Sequence, residues 1–115
     1  MRRSYSLSTS QKEGVLRVAV KEVPDGLFST FANRELKVGD VIESLPPDGR
    51  FKVDEGSLNH LGFAAGSGIT PVLSQVKHVL ETNENSKFAL FYVNKETASS
   101  RNYKKTQINK NYKKN

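Results

Sequence analysis

Two short runs carry the residues that could do chemistry. The first is Arg3-Ser4-Tyr5-Ser6-Leu7-Ser8-Thr9, which puts a cation, an aromatic face and hydroxyls on one short segment. Arginine is a forked donor suited to a diphosphate. Tyrosine can lie against a flat heteroaromatic ring, and a hydroxyl or backbone N–H can bond that ring's edge. The second run is Gly66-Ser67-Gly68-Ile69-Thr70-Pro71, a glycine-rich turn leading from an apolar stretch into an amphipathic one. A helix opened by such a turn presents free N–H groups and the positive end of its dipole, which suits phosphate. Gly26-Leu27-Phe28-Ser29-Thr30 has the same potential on a smaller scale. Read alone, each run is also an ordinary strand, turn or cap. Their order and spacing give them weight.

The elements that must position these residues fall into two styles. Residues 3–9 and 15–23 alternate as strands around a short polar turn, as in an antiparallel hairpin. Leu16, Val18 and Val20 share one face of the second strand. Pro24-Asp25-Gly26 breaks it, and a short helix is expected over 29–35 with Ser29 as N-cap. Further strands are expected at 41–45 and 51–53, on either side of Pro46-Pro47-Asp48-Gly49. After a polar linker at 54–59 the pattern changes. Leu61 to Ala65 reads as a fully buried strand. A helix capped by Thr70, with Pro71 first, is expected to run to about Glu81 with Val72, Leu73, Val76, Val79 and Leu80 on one face. Phe88 to Val93 reads as a second apolar strand, which completes the size of one βαβ unit.

Composition narrows the function classes. The chain has 115 residues and a formal charge of +6. Residues 1–100 hold 12 Lys+Arg and 12 Asp+Glu, so the excess comes from Arg101, Lys104, Lys105, Lys110, Lys113 and Lys114. A charge confined to Asn/Lys/Tyr-rich sequence marks a disordered basic tail at 99–115 rather than a folded nucleic-acid face. There is no cysteine, which excludes disulfides, a thiol nucleophile and an iron–sulfur cluster held by cysteines of this chain. No metal site is expected from the two histidines. No apolar run approaches about 20 residues, so no membrane association is expected and a cytoplasmic location is the default.

Taken together in this order, the runs resemble the ferredoxin–NADP reductase family of flavin oxidoreductases. The match spans roughly residues 2–97. Arg3-Ser4-Tyr5-Ser6-Leu7-Ser8-Thr9 and Leu45-Pro46-Pro47-Asp48-Gly49-Arg50-Phe51 are most like the branch that holds phenylacetyl-CoA epoxidase reductases and bacterial ferredoxin–NADP reductases. The resemblance implies FAD and NAD(P)H as cofactors and an iron–sulfur electron acceptor, a ferredoxin or an oxygenase component, as partner. By that resemblance Arg3 contacts the flavin pyrophosphate, Tyr5 lies against the isoalloxazine and Ser6 reaches near flavin N5. Leu7, Val20 and Lys21 line the flavin, while Gly26, Ser29 and Thr30 hold the pyrophosphate. Gly66, Ser67, Gly68, Ile69, Thr70 and Pro71 hold the dinucleotide, with Thr70 where nicotinamide meets flavin. Tyr5, Ser6 and Thr70 are the candidate catalytic residues. Phe91-Tyr92-Val93-Asn94-Lys95-Glu96-Thr97 is similar to the family's Tyr-Gly-Asn-Arg-Thr segment at the adenosine ribose, with Val93 and Lys95 in place of Gly and Arg.

The expected fold is therefore β plus α/β. An incomplete antiparallel β-barrel, the partial FAD-binding domain, covers 1–53. After the linker, the first βαβ unit of a doubly wound NAD(P)-binding domain covers 60–98. The family's flavin motif follows several barrel strands, and its nucleotide domain continues to a Cys-Gly motif. Here the flavin motif begins at residue 3 and the βαβ unit is followed by the basic tail, so a chain truncated at both ends is expected. Two other readings stay open: a non-catalytic remnant of such an enzyme, and a nucleic-acid-binding module acting through the tail.

Overall fold

The computed structural model describes residues 2–94. In order, these form a short 3₁₀ turn (Gln11–Glu13), helix α1 (Leu27–Arg34), strand β1 (Asn59–Ala65), a second 3₁₀ turn (Gly66–Gly68), helix α2 (Ile69–Thr82) and strand β2 (Lys87–Val93). The expected Lys95–Thr97 segment and the basic tail lie outside the described residues.

The βαβ unit forms as its sequence pattern requires. β1 and β2 pair in parallel, with Leu61 opposite Ala89 and Phe63 opposite Phe91. Parallel neighbours need a crossover, and α2 supplies it. Its apolar stripe of Val72, Val76 and Val79 packs on Ala64, Phe88 and Leu90, and these six residues are the buried core. Gly62 is what lets helix and sheet approach. A Cβ there would stand 2.7 Å from Cε1 of Phe88 and 3.3 Å from Cγ1 of Val72. The buried Ser86 hydroxyl closes the C-terminal end of α2 by donating to the carbonyls of Val79 (2.9 Å) and Asn83 (2.6 Å).

The strand at 61–65 was expected to be fully buried, and only one of its faces is. Side chains alternate along a strand. Those of 60, 62 and 64 face α2, and those of 61 and 63 face outward, leaving Leu61 60% and Phe63 70% exposed. No second layer covers that side among the described residues. The Phe63 and Phe91 rings stack there, with centroids 5.1 Å apart.

The antiparallel barrel expected over 1–53 is not present among the described residues. The anticipated hairpin is reduced to a single antiparallel bridge, Leu7 with Val18, supported by the Ser8 N–H donating to the Arg17 carbonyl (2.9 Å). The segments 41–45 and 51–53 form no strand. The physical reason is burial. A two-stranded hairpin is marginal without a third strand or a helix over its face, and Leu16, Val18 and Val41 stay exposed.

Both helix starts also differ from expectation. Ser29 is not an N-cap: α1 begins at Leu27 behind Gly26, because the Pro24-Asp25-Gly26 turn already delivers the chain in helical direction. Thr70 is not one either: the Gly66–Gly68 turn runs straight into α2, which starts at Ile69. Pro71 then falls third in the helix, still within the first turn where a backbone donor has no intrahelical partner.

Candidate functional site

The flavin-like run and the segment following it meet on α1. Tyr5 is half-buried, with its ring centroid 5.5 Å from that of Phe28 and tilted 42° to it. From the segment across the Leu7–Val18 bridge, the Val20 carbonyl accepts from Nδ2 of Asn33 (3.1 Å). A side chain of one segment and a carbonyl of the other therefore rest on the same helix, Tyr5 at Phe28 and Val20 at Asn33. Arg3, Ser6 and Lys21 are exposed, while Leu7 and Val20 are half-buried. The Arg3 guanidinium donates to the Arg2 carbonyl (2.8 Å). Ser6 and Lys21 have no side-chain partner among the described residues.

At the start of α1 the backbone is tightly wound. A Cβ on Gly26 would collide with the Ser29 hydroxyl and with the Val23 side chain. The Ser29 hydroxyl is buried and engaged. It accepts from the Val23 N–H (3.1 Å) and donates to the Gly26 carbonyl (3.4 Å). Ser29 thus staples the turn, and what the helix end offers a ligand is its leading backbone N–H groups. Thr30 is half-buried, and its N–H already closes the first helical bond, to the Gly26 carbonyl (3.0 Å).

The second candidate segment is open. Gly66 has φ of +53°, a conformation that a residue with a Cβ adopts only at a cost. A Cβ on Gly66 or Gly68 would meet nothing within 4 Å, so the turn has free space beside it. Ser67 is exposed and its carbonyl accepts from the Thr70 hydroxyl (3.1 Å). Ile69 packs on the core cluster and Pro71 is half-buried, so these two anchor the turn.

Among the described residues, no hydrogen bond or ring contact joins Tyr5, Ser6 or Ser29 to the Gly66–Pro71 turn. The two halves are joined farther along α2. There Ser74, Lys77 and Glu81 bond residues 8–10, a set that the sequence pattern did not bring forward. The available signal was three polar residues at helical spacing beside the apolar stripe. A cavity of about 210 Å³ also lies at this junction, lined by Ser10, Lys52, Glu55, Ser74, Gln75 and His78. It borders none of the expected site residues. His78 Nε2 is 2.9 Å from Oε1 of Glu55 across it.

Electrostatics at the periphery is simple. The Asp54 carboxyl is held below its ordinary range, first by the Gly56 N–H and then by the Ser57 hydroxyl. The Arg34 guanidinium is raised by its hydrogen bonds to Glu22, a surface pair at 2.6 Å. Among the described residues there is no cluster of His, Asp or Glu that could hold a metal ion, and no helix long and apolar enough to cross a membrane.

The chemistry of the donor set fits a flavin dinucleotide. Arg3 and Lys21 are exposed cations, Ser6 is an exposed hydroxyl and Tyr5 is a half-buried ring against α1, types of group that such a dinucleotide uses. Comparison with known proteins points the same way. Residues 1–53 match the family described as the oxidoreductase FAD-binding domain. The chain is 42% identical over 94 residues to a flavohemoprotein of Candida albicans, covering 81% of this chain and 23% of that protein. It is 37% identical over 102 residues to one component of the 1,2-phenylacetyl-CoA epoxidase of Escherichia coli, covering 86% and 29%. It is 38% identical over 98 residues to the ferredoxin reductase component of 3-ketosteroid-9-alpha-monooxygenase of Rhodococcus rhodochrous, covering 84% and 28%. No solved structure matches. By these likenesses residues 1–53 belong to the FAD-binding oxidoreductase family of the ferredoxin–NADP reductase type. The chain spans about a quarter of the length of the curated relatives it matches.

Proposed function

We propose that this chain carries the part of a flavin-dependent reductase where FAD and NAD(P)H meet. The observation behind this reading is that Tyr5 and Val20, on separate segments, both contact α1 within the stretch that matches the FAD-binding family. Arg3 and the leading N–H groups of α1 bind the pyrophosphate, a charge-assisted role that both can perform without rearranging the fold. Tyr5, backed by Phe28, offers its outer ring face to the isoalloxazine, and Ser6 donates its hydroxyl to the ring edge. Leu7, Val20 and Lys21 line the flavin. Gly26 and Ser29 act indirectly, by fixing the turn that aims the helix, and Thr30 extends the same surface. Gly66, Ser67 and Gly68 receive the second dinucleotide's phosphates, Ile69 and Pro71 hold that turn on the core, and Thr70 orients the nicotinamide.

When bound, FAD supplies the redox chemistry, taking two electrons from NAD(P)H as a hydride and releasing them singly. The acceptor is an iron–sulfur group on an oxygenase component or ferredoxin. Relatives named as reductase components of monooxygenases support that class of partner. Residues 1–53 serve the flavin and 60–98 the nicotinamide nucleotide, with 54–59 between them.

Anaerobic mixing of the chain, FAD and NADPH or NADH tests the reading. Bleaching of the flavin's visible band well above the rate without protein supports it. Equal rates with and without protein leave the non-catalytic remnant as the answer.

A further inference from the structure

We infer that Lys77, together with Ser74 and Glu81, is a positioning clamp that fixes the end of the Arg3–Thr9 run on the helix opened by the Gly66–Gly68 turn. It thereby sets the spacing between the two halves of the site. This rests on reading those segments as the FAD and NAD(P)H sites.

Residues 74, 77 and 81 stand three and seven positions apart, so they form one stripe on α2. The stripe lies beside the core-facing one and meets chain rather than solvent. The Ser74 hydroxyl donates to the Thr9 carbonyl (2.6 Å). Lys77 Nζ donates to the Ser8 carbonyl (3.2 Å) and stands 3.5 Å from Oε1 of Glu13. The Ser10 hydroxyl donates to Oε2 of Glu81 (2.6 Å), and Lys12 reaches the Glu81 carbonyl. Together these contacts tie residues 8–13 to α2, across about 70 residues of sequence.

The ion pair at the centre is sheltered. The Glu13 carboxylate is 3% exposed and the Lys77 side chain 16%. A sheltered carboxylate favours a nearby cation, and removing Lys77 takes away one of the groups that hold Glu13 in place. Glu13 also accepts from the Ser10 N–H (2.6 Å), which fixes the short turn in a single shape. Lys77 therefore grips both the end of the Arg3–Thr9 run and the turn behind it. Ser8 lies one residue past Leu7, and its N–H holds the bridge to the second segment. A shift of α2 moves residues 8–10, to which Ser6 and Tyr5 are joined through Leu7. The same helix begins with Ile69 and Thr70, so one rigid element touches both halves.

The test uses the full chain with Lys77→Met, Lys77→Arg and Ser74→Ala. Hydrogen exchange is read at residues 8–18 and at the β1–α2–β2 core, together with FAD affinity and the rate at which NADPH bleaches bound flavin. Lys77→Met is expected to raise exchange at residues 8–18 about tenfold and to leave the core protected. Bleaching should slow by about tenfold while FAD affinity changes by less than about threefold, because a small misplacement lowers rate more than binding. Lys77→Arg should recover most of the rate, and Ser74→Ala should show the same pattern more weakly. Unchanged exchange at 8–18, or an unchanged bleaching rate in Lys77→Met, overturns the clamp. Core protection lost in both Lys77→Met and Ser74→Ala also overturns it, by showing a general folding role. If the wild-type chain holds no FAD, the cofactor reading fails by itself, and the exchange pattern alone decides whether the clamp ties 8–18 to α2.

Discussion

Ser29 holds two stretches of backbone with one buried hydroxyl, accepting from Val23 and donating to Gly26. Ser29→Ala removes the acceptor of the Val23 N–H, and loss of such a half-exposed hydrogen bond costs about 0.5–1.5 kcal/mol. Urea unfolding of the variant should show a loss in that range, and an unchanged midpoint would deny Ser29 the role of staple. Asp54 makes a pH-dependent contribution of the opposite kind, on the open surface. Its carboxylate accepts from the Gly56 N–H (3.0 Å) and the Ser57 hydroxyl (2.9 Å), so the folded state holds it below the ordinary carboxylate value. A group lowered in the folded state adds stability above its unfolded value and loses it as pH falls through the folded one. Asp54→Asn should therefore lower Tm slightly at neutral pH and leave the acid end nearly unchanged, so that the decline between them is flatter. Identical Tm–pH curves for both proteins would remove Asp54 from the account.

At the scale of elements, the βαβ unit carries the packing. Val76 is fully buried between helix and sheet. Val76→Ala removes two methyl groups from that contact and should cost about 2 kcal/mol. Gly62→Ala pushes a methyl against the Phe88 ring and Val72, and overpacking of this kind costs about 1–3 kcal/mol. Denaturant melts of both variants check these values. This part of the fold was legible, because an apolar strand, a glycine turn, a helical stripe and a second apolar strand follow one another at the spacing a crossover needs. Gly62 itself was not legible: its value depends on Phe88, which is 26 positions away in sequence and lies diagonally across the strand pair, opposite His60. The hairpin was misread for a related reason. Alternation in residues 3–9 and 15–23 reports which side chains want burial, and nothing local reports whether a covering layer exists. The helix starts were misjudged because Ser29 and Thr70 carry the usual capping chemistry but spend their hydroxyls on Val23, Gly26 and Ser67 instead. The candidate site was legible as residue types, Arg3, Tyr5 and Ser6 above all. The clamp at Ser74, Lys77 and Glu81 was not, since polar helix residues ordinarily face water.

For the molecule as a whole, two regions differ in how well they are covered. The βαβ unit has a small buried core, while Leu61 and Phe63 on its outer face and Val38, Val41 and Leu45 before it stand in solvent. Exposed apolar surface of that kind binds hydrophobic dyes and promotes association. Replacing Leu61 and Phe63 together by Ser should lower the fluorescence of such a dye and reduce high-mass species in size-exclusion chromatography, without loss of helical circular dichroism. Dye binding equal to wild type would place the sticky surface elsewhere. Flavin retention speaks most directly to the central claim that Arg3, Tyr5 and α1 form one face that holds FAD. The full chain is equilibrated with FAD, dialysed, and its flavin content read from the visible spectrum, beside Arg3→Ala and Tyr5→Ala. A yellow wild-type protein, with each variant retaining several-fold less flavin, is the expected result. A colourless wild-type protein, or variants that hold FAD as tightly as wild type, would contradict it.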